Sequence, residues 1–294
     1  MMSEFIRKAH EGGATTADDW NEHLLEAHAK APGMTSRLFA KYTAPNGLTS
    51  YDMLAEILDE RRGEDLTVLD LACGDGYLLD RCAKRLGGRG KLVGVDMSEA
   101  ELNLARERLA GSDITLHCGR AQALPLADAS VDFVLCHLAF MLMLPVEPAI
   151  QEIARVLRPG GVFAAVVSCP EPSPENAGLR GVLRKHVVPF LKCRFPSLEE
   201  LTWGDLRTSS PAGLSNLLSP AAGFTAPIAI EDFFVRVTAK PESIWEHYRD
   251  TYGVGMLSDD ERAELRKRLD DVLARERAES LEFPLRKFKA VRSA

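Results

Sequence analysis

A glycine-containing turn follows an apolar run in the first third of the chain. The run Val68–Leu71 leads into the sequence ACGDG at positions 72–76, and a helix is expected to begin near Tyr77. Glycine has no Cβ, so the backbone can approach a ligand closely, and the first N–H groups of the helix are free to bind it. The pattern indicates a ligand-binding turn, although many α/β proteins have a purely structural glycine turn here.

A second apolar run ends in a carboxylate. Asp96 closes the run Leu92–Val95 and lies twenty positions after Gly76. At this spacing, nucleoside-binding α/β folds place the carboxylate that binds ribose hydroxyls. A dinucleotide-binding turn favours a third glycine at position 79, where this chain has leucine. We therefore expect a nucleoside ligand without a pyrophosphate.

Histidine is the side chain that titrates closest to neutral pH. His137 follows the apolar run Val131–Cys136 at the expected carboxyl edge of the sheet, so it is our candidate for a general base. The alternative is a buried histidine that only shapes the pocket wall. His186, on an insertion, is a second candidate. The remaining histidines have no supporting context and are expected to be structural or solvated: His10, His23, His28, His117 and His247.

Short apolar runs alternate with amphipathic segments between residues 66 and 168, which predicts a parallel sheet covered by helices on both faces. The expected strands are 67–71, 91–96, 114–118, 131–136 and 161–167, and the expected helices lie near 77–87, 98–110 and 147–157. Residues 1–64 read as helical, with N-caps at Thr15 or Thr16, at Thr35 or Ser36, and at Ser50. Later elements are expected near 177–192, 211–221, 224–237, 241–252, 258–276 and 281–291.

The charge balance argues against polyanionic partners. The chain has 36 Lys and Arg against 43 Asp and Glu, a formal charge of −7, so we expect neither nucleic acid nor a membrane as partner. Six scattered cysteines without metal-type spacing favour a reducing cytoplasm and predict no metal site. No signal peptide is visible at the N-terminus, and the longest apolar stretch is too short to cross a bilayer.

Four motifs together resemble the class I S-adenosylmethionine-dependent methyltransferases, in particular the UbiE/COQ5-like branch that acts on small molecules. They are residues 68–77, 93–102, 119–134 and 155–161, in the family's order and spacing. The resemblance implies a Rossmann-like, seven-stranded, mostly parallel sheet whose last strand is antiparallel. It also implies a helical N-terminal lid (1–64) before a methyltransferase domain (65–294), with a cofactor-binding core (66–168), an inserted lid (171–205) and a helical insertion (239–278).

The resemblance also implies roles for single residues in binding S-adenosylmethionine and its product S-adenosylhomocysteine. Asp70 would hold the amino group, and the turn at Ala72, Gly74 and Gly76 would let the backbone approach. Asp96 would bind both ribose hydroxyls, Met97 would pack on adenine, and Ala121 with Gln122 would meet the adenine edge. His137 and Leu138 would lie beside the sulfonium and the acceptor, while Trp20, Tyr42 and His186 would contact the site from the lid.

Two positions depart from the family pattern. Ala72 stands where glycine is common, and Arg120 stands where an aspartate often accepts a hydrogen bond from the adenine amino group. Arginine has only donors, so Gln122 or a backbone carbonyl must replace that acceptor.

The expected activity is methyl transfer by in-line displacement to an O or C atom of a small, partly apolar metabolite, as in secondary metabolism. The sequence HLAF at 137–140 replaces the Asn/Asp-Pro-Pro-Tyr signature of enzymes that methylate bases. Two alternatives stay open: a non-methylating reaction such as a cyclisation, and a non-catalytic cofactor-binding protein. Monomer and homodimer are both compatible with the sequence.

Overall fold

Seven strands form a single sheet in the order β3-β2-β1-β4-β5-β7-β6. The computed structural model describes residues 3–169, 179–199, 201, 203–238, 244–275 and 280–294. β7 is antiparallel to both of its neighbours, and the other adjacent strands are parallel. The predicted fold class is thereby confirmed. The strands are β1 Thr67–Leu71, β2 Lys91–Asp96, β3 Ile114–Cys118, β4 Val131–His137, β5 Leu157–Ser168, β6 Ala229–Thr238 and β7 Ser280–Val291.

Helices cover the sheet and the edge at which its parallel strands end. Four of them precede β1: α1 Glu4–Glu11, α2 Ala17–Lys30, α3 Met34–Phe39 and α4 Ser50–Ala55. Three connect the parallel strands: α5 Tyr77–Leu86, α6 Glu99–Arg108 and α7 Val146–Val156. Five more follow β5: α8 Leu179–Arg194, α9 Pro211–Leu217, α10 Ile244–Tyr248, α11 Tyr252–Gly255 and α12 Asp259–Leu273.

The N-terminal helices begin partly where the sequence predicts. Thr16 caps α2, and its capping box with Asp19 satisfies two free backbone N–H groups. The predicted caps of the next two helices are wrong by one to three residues. α3 begins after Gly33, and Thr49 caps α4 through a capping box with Asp52. The helix expected over 241–252 is replaced by the short helices α10 and α11.

The N-terminal helices share a hydrophobic core with one face of the sheet. Phe5, Trp20 and Leu54 are fully buried in the same cluster as Val68 of β1 and Phe133 of β4. The opposite face packs against α7 and α9 in a second cluster. Residues 3–64 are therefore packed onto the sheet by burial of apolar area, the main favourable contribution to folding. The predicted boundary between a lid (1–64) and a methyltransferase domain (65–294) stays a prediction.

Parts of two predicted insertions lie outside the described residues. These parts are residues 171–178, 200 and 202 of the inserted lid, and residues 239–243 and 276–278 of the helical insertion. Across the described part of the chain, no helix is both long enough and apolar enough to span a membrane.

Candidate functional site

A cavity lies at the carboxyl ends of β1, β2 and β4, where α/β sheets commonly bind ligands. It encloses about 1000 Å³ with its mouth included, and α2 and residues 33–36 contribute to its wall. Nine of the predicted site residues line it: Asp70, Ala72, Gly74, Asp96, Met97, Ala121, Gln122, His137 and Leu138. Gly76, Trp20, Tyr42 and His186 are not among the lining residues.

Asp70, at the end of β1, is a buried carboxylate with an unsatisfied oxygen. Its residue is 1% exposed, and its Oδ2 has no hydrogen-bond partner in the described structure. Burial raises its pKa well above the usual value, and the charges of Asp96 and Asp75 raise the pKa further. An ammonium group would supply the missing donors and offset the negative charge. The site therefore fits an aminoacyl ligand such as the methionine part of S-adenosylmethionine.

Asp96, at the end of β2, is oriented by two backbone donors. Its Oδ2 accepts from the Gly74 N–H and its Oδ1 from the Ser98 N–H, both at 2.8 Å. Burial raises the pKa of Asp96, and these two hydrogen bonds oppose the increase. A carboxylate has about four lone-pair sites, so Asp96 can still accept from ribose hydroxyls in the cavity.

The turn after β1 has left-handed backbone angles at three positions. Gly74 and Gly76 have φ values of +52° and +76°, and Ala72 has φ +58°, a strained region for a residue with a Cβ. A Cβ on Gly76 would lie 2.9 Å from Leu109 Cδ1. The need for glycine at position 76 thus comes from the packing of the turn against the end of α6.

The expected adenine end of the cavity is polar at its rim. The Arg120 side chain is half-exposed and forms an ion pair with Asp18 at 3.8 Å. The Gln122 Nε2 donates to the Pro145 carbonyl at 3.1 Å, which holds the side chain against the cavity wall. Met97 supplies apolar lining that suits an aromatic base, and Leu138, just past β4, adds apolar wall to the same cavity.

His137 lines the cavity but is poorly placed to accept protons. Its Nε2 lies 2.8 Å from Ser50 Oγ, and its ring stacks on Tyr51 with 3.6 Å between centroids. Burial lowers the pKa of His137 to about 3, and within the described structure its Nδ1 has no hydrogen-bond partner. The imidazole is therefore neutral at physiological pH and weakly basic. Its role as general base stays a prediction.

The predicted lid residues lie at varying distances from the cavity. Trp20 is fully buried behind the wall, where its Nε1 donates to the carbonyl of the lining residue Leu142 at 2.8 Å. Tyr42 is buried against Phe39 and Phe283. His186 is exposed on α8. No trio of His, Cys, Asp or Glu side chains in the described ranges is arranged to hold a metal ion.

His28 lines the cavity, although the sequence analysis expected a structural or solvated role for it. Its Nδ1 lies 2.7 Å from Glu101 Oε1, and its Nε2 lies 3.1 Å from the hydroxyl of Tyr252. The sequence signal for a site role of His28 was its helical spacing from Asn21 and Leu24. These three residues lie on one face of α2, and all three line the cavity. Glu101 and Tyr252 are separated in sequence from His28 by 73 and 224 residues, so no local pattern connects them.

Sequence comparisons match the part of the chain that contains this site to methyltransferases. Residues 68–161 match the methyltransferase domain family. The demethylmenaquinone methyltransferase of Symbiobacterium thermophilum is 40% identical over 100 residues, which cover 33% of this chain and 40% of that protein. That of Staphylococcus aureus is 28% identical over 194 residues, covering 63% and 80%. The chain thus spans about two fifths of the length of the first curated relatives.

Solved structures agree on the fold. A Bacillus halodurans protein described as a methyltransferase by sequence has a TM-score of 0.53 at 18% identity, covering 82% of this chain and 99% of that one. A Haemonchus contortus phosphoethanolamine N-methyltransferase bound to S-adenosylhomocysteine has a TM-score of 0.54 at 15% identity, covering 95% and 61%. At these identities the similarity establishes the architecture only.

Proposed function

We propose that this chain, which carries a class I S-adenosylmethionine-dependent methyltransferase domain, transfers a methyl group to an oxygen or carbon atom of a small, partly apolar metabolite. One observation carries the proposal. The unsatisfied Asp70 oxygen and the Asp96 carboxylate open into one cavity at the ends of adjacent strands. This arrangement suits a ligand with an ammonium group at one end and ribose hydroxyls at the other.

The residues of the cavity bind and align the two reactants. Asp70 holds the ammonium group, Asp96 holds the ribose, Met97 packs on the adenine, and Leu138 lies beside the sulfonium and the acceptor. When bound, S-adenosylmethionine supplies a methyl group activated by a positively charged sulfur. The protein has to hold the acceptor in line with that group and exclude water from the cavity. Helix α2 and the 3₁₀ turn Phe140–Leu142 contribute to the wall that excludes water.

The charge of the lining favours a neutral acceptor. Four acidic side chains line the cavity (Asp70, Asp75, Asp96 and Glu101), of which Asp75 is paired with Arg108 and Glu101 contacts His28, and the cation at the rim, Arg120, is paired with Asp18. Such a field attracts a sulfonium and an ammonium but opposes phosphate or carboxylate on the acceptor. Leu24, Leu78 and Met143 add apolar wall. We propose a phenol, an enol or a quinol, the last by analogy with relatives named for demethylmenaquinone.

The setting of the reaction is proposed from the sequence. The acidic charge and the HLAF sequence after β4 support a small molecule rather than a nucleic acid as acceptor. Scattered free cysteines support a cytoplasmic location. Action on a partly apolar acceptor would suit secondary metabolism.

A methyl-transfer assay tests the proposal. Purified protein is incubated with S-adenosylmethionine and, separately, short-chain demethylmenaquinol, catechol, 4-nitrophenol or a 1,3-diketone. We expect S-adenosylhomocysteine and a product heavier by one CH₂ unit with at least one acceptor. Asp96→Asn should slow product formation at low cofactor concentration, and the exposed Asp113→Asn should not.

The alternatives give different outcomes in the same assay. A cyclase-type reaction would give a product of unchanged mass without S-adenosylhomocysteine. A non-catalytic protein would bind the cofactor and leave every acceptor unchanged. Either result would overturn the proposed methyl transfer while leaving the assignment of the cofactor site intact.

A further inference from the structure

A hydrogen-bonded trio joins three distant segments of the chain at the cavity. His28 belongs to α2, Glu101 to the first turn of α6, and Tyr252 to α11. All three line the cavity. The trio therefore links the helix above the cavity to the core beneath it and to the C-terminal insertion.

Glu101 is fixed more firmly than a surface carboxylate would be. Its side chain is 3% exposed, and its two oxygens accept from the Gly33 N–H at 3.0 and 2.9 Å. A carboxylate only accepts, so the His28 Nδ1 carries the proton in their 2.7 Å contact. This contact orients the imidazole and turns Nε2 toward Tyr252.

The trio lies beside the carboxylate expected to bind ribose. Gly74 connects the two: its N–H donates to Asp96, and a Cβ placed on it would lie 3.7 Å from Glu101 Oε2. The negative charge of Asp96 raises the pKa of His28, and the positive charge of His28 lowers the pKa of Asp96. His28 thus lies near Asp96 in the cavity lining.

We propose that His28 is a ligand of the cofactor supplied by α2, with its Nε2 hydrogen-bonded to a ribose hydroxyl that Asp96 also binds. The ribose hydroxyl replaces the Tyr252 hydroxyl at Nε2. Glu101 is the positioning residue that acts through the Nδ1 of His28. The inference rests on the cofactor of the proposed function and requires no methyl transfer.

Calorimetric titration with two ligands tests the contact. S-adenosylhomocysteine and its 2′,3′-dideoxy analogue are each titrated into the wild type, His28→Leu and the control His10→Leu, whose histidine is exposed on α1. Loss of one neutral hydrogen bond predicts that His28→Leu weakens S-adenosylhomocysteine about 3- to 10-fold. The same variant should bind the dideoxy analogue as the wild type does, and His10→Leu should change neither affinity.

The positioning role of Glu101 is tested in the same titrations. Glu101→Gln should weaken S-adenosylhomocysteine in the wild-type background and add no further loss to His28→Leu. His28→Gln, which keeps a polar group at this position, should recover part of the affinity and serves as a second variant if His28→Leu does not fold.

Three results would overturn the inference. One is an unchanged affinity of His28→Leu for S-adenosylhomocysteine. Another is an equal loss of affinity of His28→Leu for both ligands, which would indicate a general disturbance of α2 and not the loss of a contact with the ribose hydroxyls. A wild type that binds neither ligand would overturn both this inference and the proposed function, whereas the first two results leave methyl transfer standing.

Discussion

Asp70 shows how a single residue can favour ligand binding at the expense of the ligand-free fold. Its buried oxygen lacks a partner, and the carboxyl pKa is raised by burial and by neighbouring acids. An acid whose pKa is raised by folding destabilises the protein increasingly as the pH rises from its unfolded pKa to its folded pKa, and by the full amount above the folded pKa. The unfavourable burial of Asp70 is relieved when a cation binds.

Asp70→Asn is therefore expected to separate stability from binding. Replacing the buried ionisable carboxyl with a neutral amide should raise the free energy of unfolding of the ligand-free protein by about 1 kcal/mol at pH 7.5. The same change should weaken S-adenosylhomocysteine binding. Urea unfolding and calorimetry measure the two quantities. A variant that is less stable than the wild type would contradict the description of Asp70 as an unsatisfied acid.

The low pKa of His137 predicts that the stability of the protein depends on pH. Its pKa of about 3 lies below the unfolded value near 6.5, so the unfolded state binds the extra proton between these values. The contribution of neutral His137 is full above pH 6.5 and is lost as the pH falls toward 3. Between pH 7 and pH 5, the wild type should lose about 2 kcal/mol more than His137→Gln. Urea titrations of both proteins at the two pH values measure the loss of unfolding free energy. Equal losses for the wild type and His137→Gln would contradict the prediction.

At the scale of elements, the β1–α5 turn contains a strained residue that the sequence analysis had noted only as a departure. Ala72 has φ +58° and lines the cavity. Glycine adopts this conformation without a Cβ penalty, but it also has more freedom in the unfolded chain. Ala72→Gly should therefore stabilise the fold by about 0.5–1 kcal/mol. Thermal unfolding checks this, with Ala83→Gly inside α5 as a control that should destabilise.

The central elements were predictable because their signals are local. The apolar runs of β1 and β2, the glycine turn and Asp96 each lie within a short stretch of sequence, and the structure places them as expected. The caps of α3 and α4 were less predictable, since several Ser, Thr and Gly residues compete as caps. Thr49 prevailed over Ser50 because Asp52 completes its capping box.

The covering elements depend on contacts that no local pattern records. α2 is held along the cavity by Asn21 Nδ2, which donates to the Leu144 carbonyl at 3.0 Å, and by the contact between His28 and Glu101. Trp20 has the expected apolar character, but its ring is directed into the core behind the cavity wall. The side of a helix that faces a ligand is decided by its long-range partners.

At the scale of the whole molecule, the sheet order brings residues from distant parts of the chain to one edge. β1 lies between β2 and β4, so Asp70, Asp96 and His137 meet at neighbouring strand ends. The N-terminal helices complete the cavity and share the core beneath it. A ligand bound there contacts several segments at once, so its binding should stabilise the whole fold.

Calorimetric titration of S-adenosylhomocysteine into wild type, Asp96→Ala and the exposed control Asp113→Ala tests the cofactor site most directly. We expect one molecule bound per chain, a loss of about 1.5–3 kcal/mol in binding free energy for Asp96→Ala, and no change for Asp113→Ala. Equal affinities of wild type and Asp96→Ala, or no binding by the wild type, would contradict the assignment of this cavity as the cofactor site.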